Sequence, residues 1–333
     1  MAQQQKILIV RFSSIGDIVL TTPVIRCLKL QLGATVHYLT KHAYRPLLAE
    51  NPYIDEIHGI HRSVREVAAN LKTERYDYII DLHKNLRTWH LRVLLGFPKT
   101  YSFNKINFEK WLMVNFKINR LPDSHIVDRY LATVNALGIE NDGQGLDYFF
   151  PATVNAMRAV DSYVNAKKFV VFAIGATHAT KRMPKEKIIE LIQQLNMHVV
   201  LIGGKDVAAE GVAIANAFDA GVQNLCGQLN LHESADCIRH SQWVITHDTG
   251  MMHIAAALRK PMVSIWGNTI PAFGMYPYYP EGMQLNTVLE VEHLACRPCS
   301  KIGHHRCPKG HFKCMHDLDF SERLDGLISG LKM

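Results

Sequence analysis

No run of apolar residues in this 333-residue chain approaches the roughly 20 that a membrane-spanning helix needs, so a transmembrane protein is not expected. Met1-Ala2-Gln3-Gln4-Gln5-Lys6 leads straight into a short apolar run with no signal-type core, and the expected compartment is the cytosol. Internal repeats and low-complexity tracts are absent, which excludes solenoids and long disordered linkers. The loop after the first apolar run holds a single glycine, Gly16, where a dinucleotide fingerprint needs three at fixed spacing; a Rossmann-type cofactor site is disfavoured. Cysteine is sparse outside one stretch. Cys27, Cys226 and Cys237 each stand in an apolar context and read as core residues, and a reducing compartment disfavours disulfides. Acidic residues are scarce between His83 and Arg129, where nine Lys and Arg face only Glu109, Asp123 and Asp128, so most of the formal +7 lies there. Such a patch suits a polyanion or an anionic membrane surface. Its aromatics (Trp89, Phe97, Tyr101, Phe103, Phe108, Trp111, Phe116) are mixed with aliphatics as in a packed subdomain, so base stacking has no separate support.

What is present is a chain too long for one hydrophobic core, with an apolar fraction of 48% that supplies two. Ile7–Val10 reads as a strand, about 18–32 as a helix, Ala34–Leu39 as a second strand, Tyr76–Leu82 as a third, 85–95 and 123–137 as helices, and 101–120 as no assignable pattern. Gly143–Pro151 holds three breakers, and 152–166 reads as helix, which puts a domain boundary near 145–165. The pattern then restarts. Phe169–Ile174 reads as a strand ending in Gly175, Pro184–Leu195 as a helix, His198–Ile202 as a strand ending in Gly203-Gly204, and a further helix runs through Ala217. Trp243–His247 and Pro261–Trp266 are again strands, with an Ala-rich helix between them. Short apolar strands alternating with helices predict an α/β fold of two Rossmann-like halves with parallel sheets, divided as 1–155 and 156–333.

Three strand-end loops carry the polar chemistry. Ser13-Ser14-Ile15-Gly16-Asp17 opens the first helix; Gly16 permits close backbone approach, and Asp17 stands where a capping residue also stands. Thr177 to Pro184 brings hydroxyls, Lys181 and Arg182 to a helix start, a cradle for pyrophosphate or an ordinary surface loop. Asp248-Thr249-Gly250 breaks a strand and restarts as a helix, so unpaired N–H groups and the positive dipole end face an anion site, with His253 at the same mouth. The alternative is that Asp248 or Thr249 merely caps that helix. A fourth feature is Cys296-x2-Cys299-x7-Cys307-x6-Cys314 with His293, His304, His305, His311 and His316, a candidate structural metal site whose spacing is not that of the common zinc ribbons.

The three loops in this order, with Tyr78–Arg87, Gly203-Gly204, Leu225-Cys226-Gly227, Lys260-Pro261 and Gly267-Asn268-Thr269, resemble glycosyltransferase family 9, which contains the ADP-heptose:lipopolysaccharide heptosyltransferases. The resemblance implies a GT-B architecture, an acceptor-binding N-terminal domain and a nucleotide-sugar-binding C-terminal domain facing across a cleft, with the last helix free to pack back on the first domain. It implies inverting transfer from an ADP-sugar with no cofactor and no catalytic metal. The acceptor would be an anionic glycolipid at the inner membrane face, the enzyme a cytoplasmic protein peripheral to that membrane, and nucleic acid no partner. By the same analogy Asp17 is the general base, with Ser14, Gly16, Lys84 and Arg87 toward the acceptor. Lys181 and Thr177 hold the pyrophosphate, the Thr249 and Gly250 N–H groups its other side, Asp248 sugar hydroxyls, and His253 the sugar-phosphate end. His247 stands where the family often has Asn, and Asn268 where Pro is usual, while a Cys-Pro-Cys region like that at Cys296–Cys299 is shared. Two rival expectations are the same fold moving another sugar from another nucleotide, and a nucleic-acid module built on the basic region and the Cys/His cluster.

Overall fold

The computed structural model describes residues 4–165, 168–195 and 197–320. The chain divides into two units: the first gathers residues up to Lys105, Ser124–Phe150 and Tyr278–Gly282, and the second Ile106–Asp123, Pro151–Pro277 and the rest from Met283. One crossing, at Phe150/Pro151, falls in the breaker-rich stretch, but a single cut at 155/156 does not describe the units. Residues 106–123 pass to the second because Lys117 Nζ donates to the Pro298 carbonyl at 2.7 Å. Residues 278–282 pass to the first, where Tyr278 stacks on His125 (centroids 4.7 Å apart) and its hydroxyl donates to Asp128 at 2.8 Å. The expectation for the last helix falls on residues 321–333, outside the described residues.

In the first unit, β1 (Lys6–Val10), β2 (Thr35–Lys41), β3 (Glu56–Ile60), β4 (Tyr78–Asp81) and β5 (Thr100–Ser102) form one parallel sheet in the order β3-β2-β1-β4-β5. Its middle strand, β1, is a continuous apolar run from Ile7 to Val10, as a parallel sheet covered on both faces requires. The helices, in chain order, are α1 (Ile15–Val19), α2 (Thr22–Leu32), α3 (Arg65–Thr73), α4 (Leu86–Leu94), α5 (Asn107–Phe116, in the second unit) and α6 (Ile126–Leu131). The single helix expected over 18–32 is two: the Thr21 and Thr22 hydroxyls bond the Ile18 and Val19 carbonyls, and Pro23 has no N–H to continue the ladder. The helix expected over 123–137 is α-helical only across α6 and ends in a 3-10 turn, Asn135–Leu137.

The second unit holds β6 (Phe169–Ala173), β7 (His198–Ile202), β8 (Val222–Asn224), β9 (Trp243–His247), β10 (Met262–Trp266) and β11 (Asn286–Glu290), all parallel, in the order β11-β10-β9-β6-β7-β8. Around them lie α7 (Ser162–Asn165), α8 (Lys185–Leu195), α9 (Ala208–Ala215), α10 (Leu231–His240), α11 (Gly250–Ala257) and α12 (Lys313–His316). The helix expected over 152–166 shrinks to a 3-10 turn at Ala156–Arg158 and the four residues of α7. In each sheet the strand order reverses at one place, between β1 and β4 and between β6 and β9. Beyond the carboxyl ends of strands at such a reversal, the loops part to opposite faces and leave a crevice for a ligand.

Candidate active site

At the β1/β4 reversal the loop Arg11–Ser14 leads into α1, and Asp17 occupies the third position of that helix. Its Oδ2 accepts from the Ser14 N–H (3.1 Å) and hydroxyl (2.9 Å), so the capping reading is realised by one oxygen. The other, Oδ1, takes Arg11 Nη2 at 2.6 Å. Arg11, which the sequence did not single out, is buried and also donates to the Ser13 and Leu82 carbonyls and to the Tyr130 hydroxyl, tying the β1 and β4 loops together. Burial alone would lift the Asp17 carboxyl, but the Arg11 charge and the Ser14 hydrogen bonds outweigh it and hold the group below the usual carboxylate range. Asp17 is thus an ionised, oriented carboxylate.

Around it stand the other residues expected toward an acceptor. Gly16 is buried and Ser14 exposed; Lys84 donates its backbone N–H to Asp81 at 2.7 Å and its Nζ to the Phe103 carbonyl at 3.1 Å, and the Arg87 guanidinium lies 5.4 Å over the Phe12 ring. The sequence also passed over His83, whose ring sits 5.0 Å from Phe12. Burial, then the charges of Arg11 and Lys105, push it down to about 3, so it is neutral, and its buried Nδ1 has no hydrogen-bond partner among the described residues.

At the β6/β9 reversal, Lys181 ends a 3-10 turn (Ala179–Lys181), and its Nζ pairs with Asp248 Oδ2 at 2.6 Å and the Asp248 carbonyl at 3.1 Å. Thr269, on the loop after β10, donates to the same Oδ2 at 2.8 Å. Asp248 is therefore no cap for α11. Thr249 holds the N-cap position in extended conformation with no side-chain cap bond, which leaves the first N–H groups of α11 without intrahelical partners. His253 lies buried in the helix's first turns, and Thr177 is exposed on the Lys181 loop.

In the sequence Thr269 stands out only within the Gly267-Asn268-Thr269 motif, and Asn268 only as standing where the family usually has Pro. Asn268 is 2% exposed, and both polar atoms of its amide lack partners among the described residues. His247 faces away from solvent altogether: its Nε2 accepts from the Met183 N–H at 3.0 Å, and burial, with Arg182 second, pushes it down to about 3. Of the acids after Gly203-Gly204, Asp206 pairs with Arg182, while burial raises Glu210.

The cysteine-rich segment buttresses these loops. Thr180 and His304 exchange hydrogen bonds (His304 N–H to Thr180 Oγ1, 2.8 Å), and Arg297 donates to the Gly267 and Thr269 carbonyls and pairs with Glu290 at 2.6 Å. All seven cysteines are free. Cys299 Sγ donates to the Cys296 carbonyl at 2.9 Å, Cys296 Sγ lies 3.9 Å from His311 Nε2, and burial pushes the Cys299 and Cys314 thiols up to about 11 and about 12. Among the described residues, the group of three potential ligands lying close together is His37, Glu56 and His58 in the first unit, not the cysteines. The basic stretch departs from the packed subdomain expected of it: Trp89, Phe97, Phe108, Trp111 and Phe116 are at least half exposed, because α4 turns only Thr88 and Leu91 fully inward and α5 buries no residue.

The family model described as Glycosyltransferase family 9 (heptosyltransferase) matches residues 64–306. Lipopolysaccharide heptosyltransferase 3 of Escherichia coli is 26% identical over 284 residues, 78% of this chain and 81% of that protein. Among solved structures, the family 9 glycosyltransferase from Veillonella parvula superposes with a TM-score of 0.77 at 21% identity, covering 99% of this chain and 98% of that one. The E. coli ADP-heptose lipopolysaccharide heptosyltransferase II gives 0.70 at 21% identity over 99% and 100% of the two chains. The two parallel sheets described above are those of the GT-B fold.

Proposed function

This chain belongs to glycosyltransferase family 9, and on that footing we propose that it moves a heptose from ADP-heptose to the inner core of lipopolysaccharide, with inversion and without a cofactor. Relatives named as lipopolysaccharide and lipooligosaccharide heptosyltransferases support the substrates. The observation that carries the reading is the convergence of Lys181, Asp248, Thr269 and the open start of α11 at one sheet reversal, a cation, hydroxyl and N–H set suited to a sugar pyrophosphate. In this reading Lys181, Thr177 and the Thr249 and Gly250 N–H groups take the pyrophosphate, Asp248 takes sugar hydroxyls, and His253 serves the sugar-phosphate end. Asp17 accepts the proton of the acceptor hydroxyl as its oxygen bonds the anomeric carbon, while the bond to the ADP oxygen breaks and Lys181 offsets the charge on the departing diphosphate. Lys84 and Arg87, with Ser14 and Gly16, meet the anionic acceptor. No metal step is needed, since the cationic side chain and helix dipole supply the positive charge.

No described helix is long and apolar enough to cross a membrane, and we place the enzyme at the cytoplasmic face of the inner membrane, where an amphiphilic acceptor is presented. Calorimetric titration with ADP, UDP and GDP tests the donor: ADP is expected to bind tightest, and tight binding of UDP alone overturns it. Transfer from ADP-heptose to a core acceptor then tests the reaction itself.

A further inference from the structure

Helix α4 carries apolar side chains on two opposite faces. Thr88 and Leu91 turn inward, 2% and 0% exposed. On the outer face Leu86, Trp89 and Val93 recur at spacings of three and four and are 86%, 58% and 37% exposed, and Phe97, just past the helix, is 59% exposed. One apolar stripe suffices to seat a helix on a core, so a second one, rich in Trp, Phe and Leu, is a surface awaiting a partner. Its charge says which. From Leu82 to Phe108 the chain has no Asp or Glu but has Lys84, Arg87, Arg92, Lys99 and Lys105. Large apolar and aromatic side chains among cations, in a stretch of sequence without an acid, match the headgroup layer of an anionic bilayer, where rings sit at the acyl boundary and cations meet phosphates. The stripe begins at the carboxyl edge of the first sheet, one residue before Arg87, which lies over Phe12 on the Asp17 loop.

We infer that the Leu86–Trp89–Val93–Phe97 face docks on an anionic phospholipid surface and so presents that loop to a membrane-held acceptor. The purpose of docking rests on the proposed glycolipid acceptor; the docking itself does not.

The test uses the full chain and vesicles of phosphatidylcholine with or without phosphatidylglycerol. The protein is expected to sediment with the mixed vesicles, less with pure phosphatidylcholine, and less again as salt rises. The double substitution Trp89→Ser with Phe97→Ser should weaken partitioning about tenfold or more, since two rings no longer leave water. Its melting curve and its transfer to a lipid-free core oligosaccharide should match the parent protein. In a Trp111→Phe background, brominated lipid should quench Trp89, as Trp243 and Trp266 are buried. Unchanged partitioning of the double variant, or an unquenched Trp89, overturns the proposal. So does a concentration-dependent dimer that protects Trp89 in place of vesicle binding, which would assign the face to a second copy. Stripe-dependent vesicle binding without any heptose transfer would instead sink the functional reading and leave the docking face standing.

Discussion

Arg11 follows an apolar strand at a position that reads in sequence as ordinary loop, yet it determines the chemistry of the proposed base. Its guanidinium holds Asp17 ionised against a burial effect of opposite sign. Because the folded carboxyl lies below its unfolded value, the stability it adds is complete above the ordinary Asp range and fades as pH falls through the folded value. Arg11→Lys keeps a charge but loses the planar fork, so the Asp17 pKa should rise toward the ordinary range and the acid limb of kcat/KM should move to higher pH. A pH–rate profile checks this; an acid limb that stays put removes Arg11 from that role. Lys181 is the residue proposed to act on the other substrate. Lys181→Ala should weaken ADP binding about 10- to 100-fold, the range for one charged hydrogen bond, and calorimetry showing unchanged affinity would take it out of the site. Such residues divide cleanly by legibility. Asp17, Lys181 and Asp248 could be picked out because each follows an apolar run at a strand end, whereas Arg11 and Thr269 matter through contacts that no local pattern encodes, and Asn268 stands out only by its buried amide without a partner among the described residues.

Among the elements, legibility follows burial. Central strands such as Phe169–Ala173 and Trp243–His247 are buried at every position and read directly as apolar runs. Strands β3 (Glu-Ile-His-Gly-Ile), β8 (Val-Gln-Asn) and β11 (Asn-Thr-Val-Leu-Glu) lie at or next to sheet edges, carry polar residues, and were not predicted. Helix α10 also escaped, though Asn230 and Glu233 cap it reciprocally, because its buried positions include the polar Ser234 and Asp236 and so mark no clear apolar face. The loops depend on close approach between elements, and Gly267 is one such place beside the Lys181 turn: a Cβ there would stand 2.8 Å from the Thr180 carbonyl oxygen and 2.5 Å from Met315 Cε. The methionine can swing away; the backbone carbonyl cannot. Gly267→Ala should therefore cost about 1–3 kcal/mol and displace the turn bearing Lys181, lowering both the melting temperature and ADP affinity. A variant that melts like the parent and binds ADP equally well would show that the loop spacing is loose.

At the scale of the whole molecule, two parallel sheets each build a core and each carry polar loops at a single reversal of strand order. The partners of Asp17 (Arg11 and Ser14) lie in the first unit, and those of Lys181 (Asp248 and Thr269) in the second. No described hydrogen bond or ion pair of the carboxylate involves a donor-side residue. Effects at sites without shared partners add independently, so removing the carboxylate should leave donor binding intact. Asp17→Ala is accordingly expected to bind ADP within about twofold of the parent while transfer falls roughly 10²- to 10⁴-fold, the contribution of a positioned base. Asp17→Asn, which keeps the shape and one acceptor oxygen, should lose transfer to a similar degree, since what is missing is the proton acceptor and not the capping contact. Turnover of Asp17→Ala at the parent rate would place the base elsewhere, and joint loss of transfer and ADP affinity with an unchanged melting curve would mean that the two units do not divide the substrates as proposed.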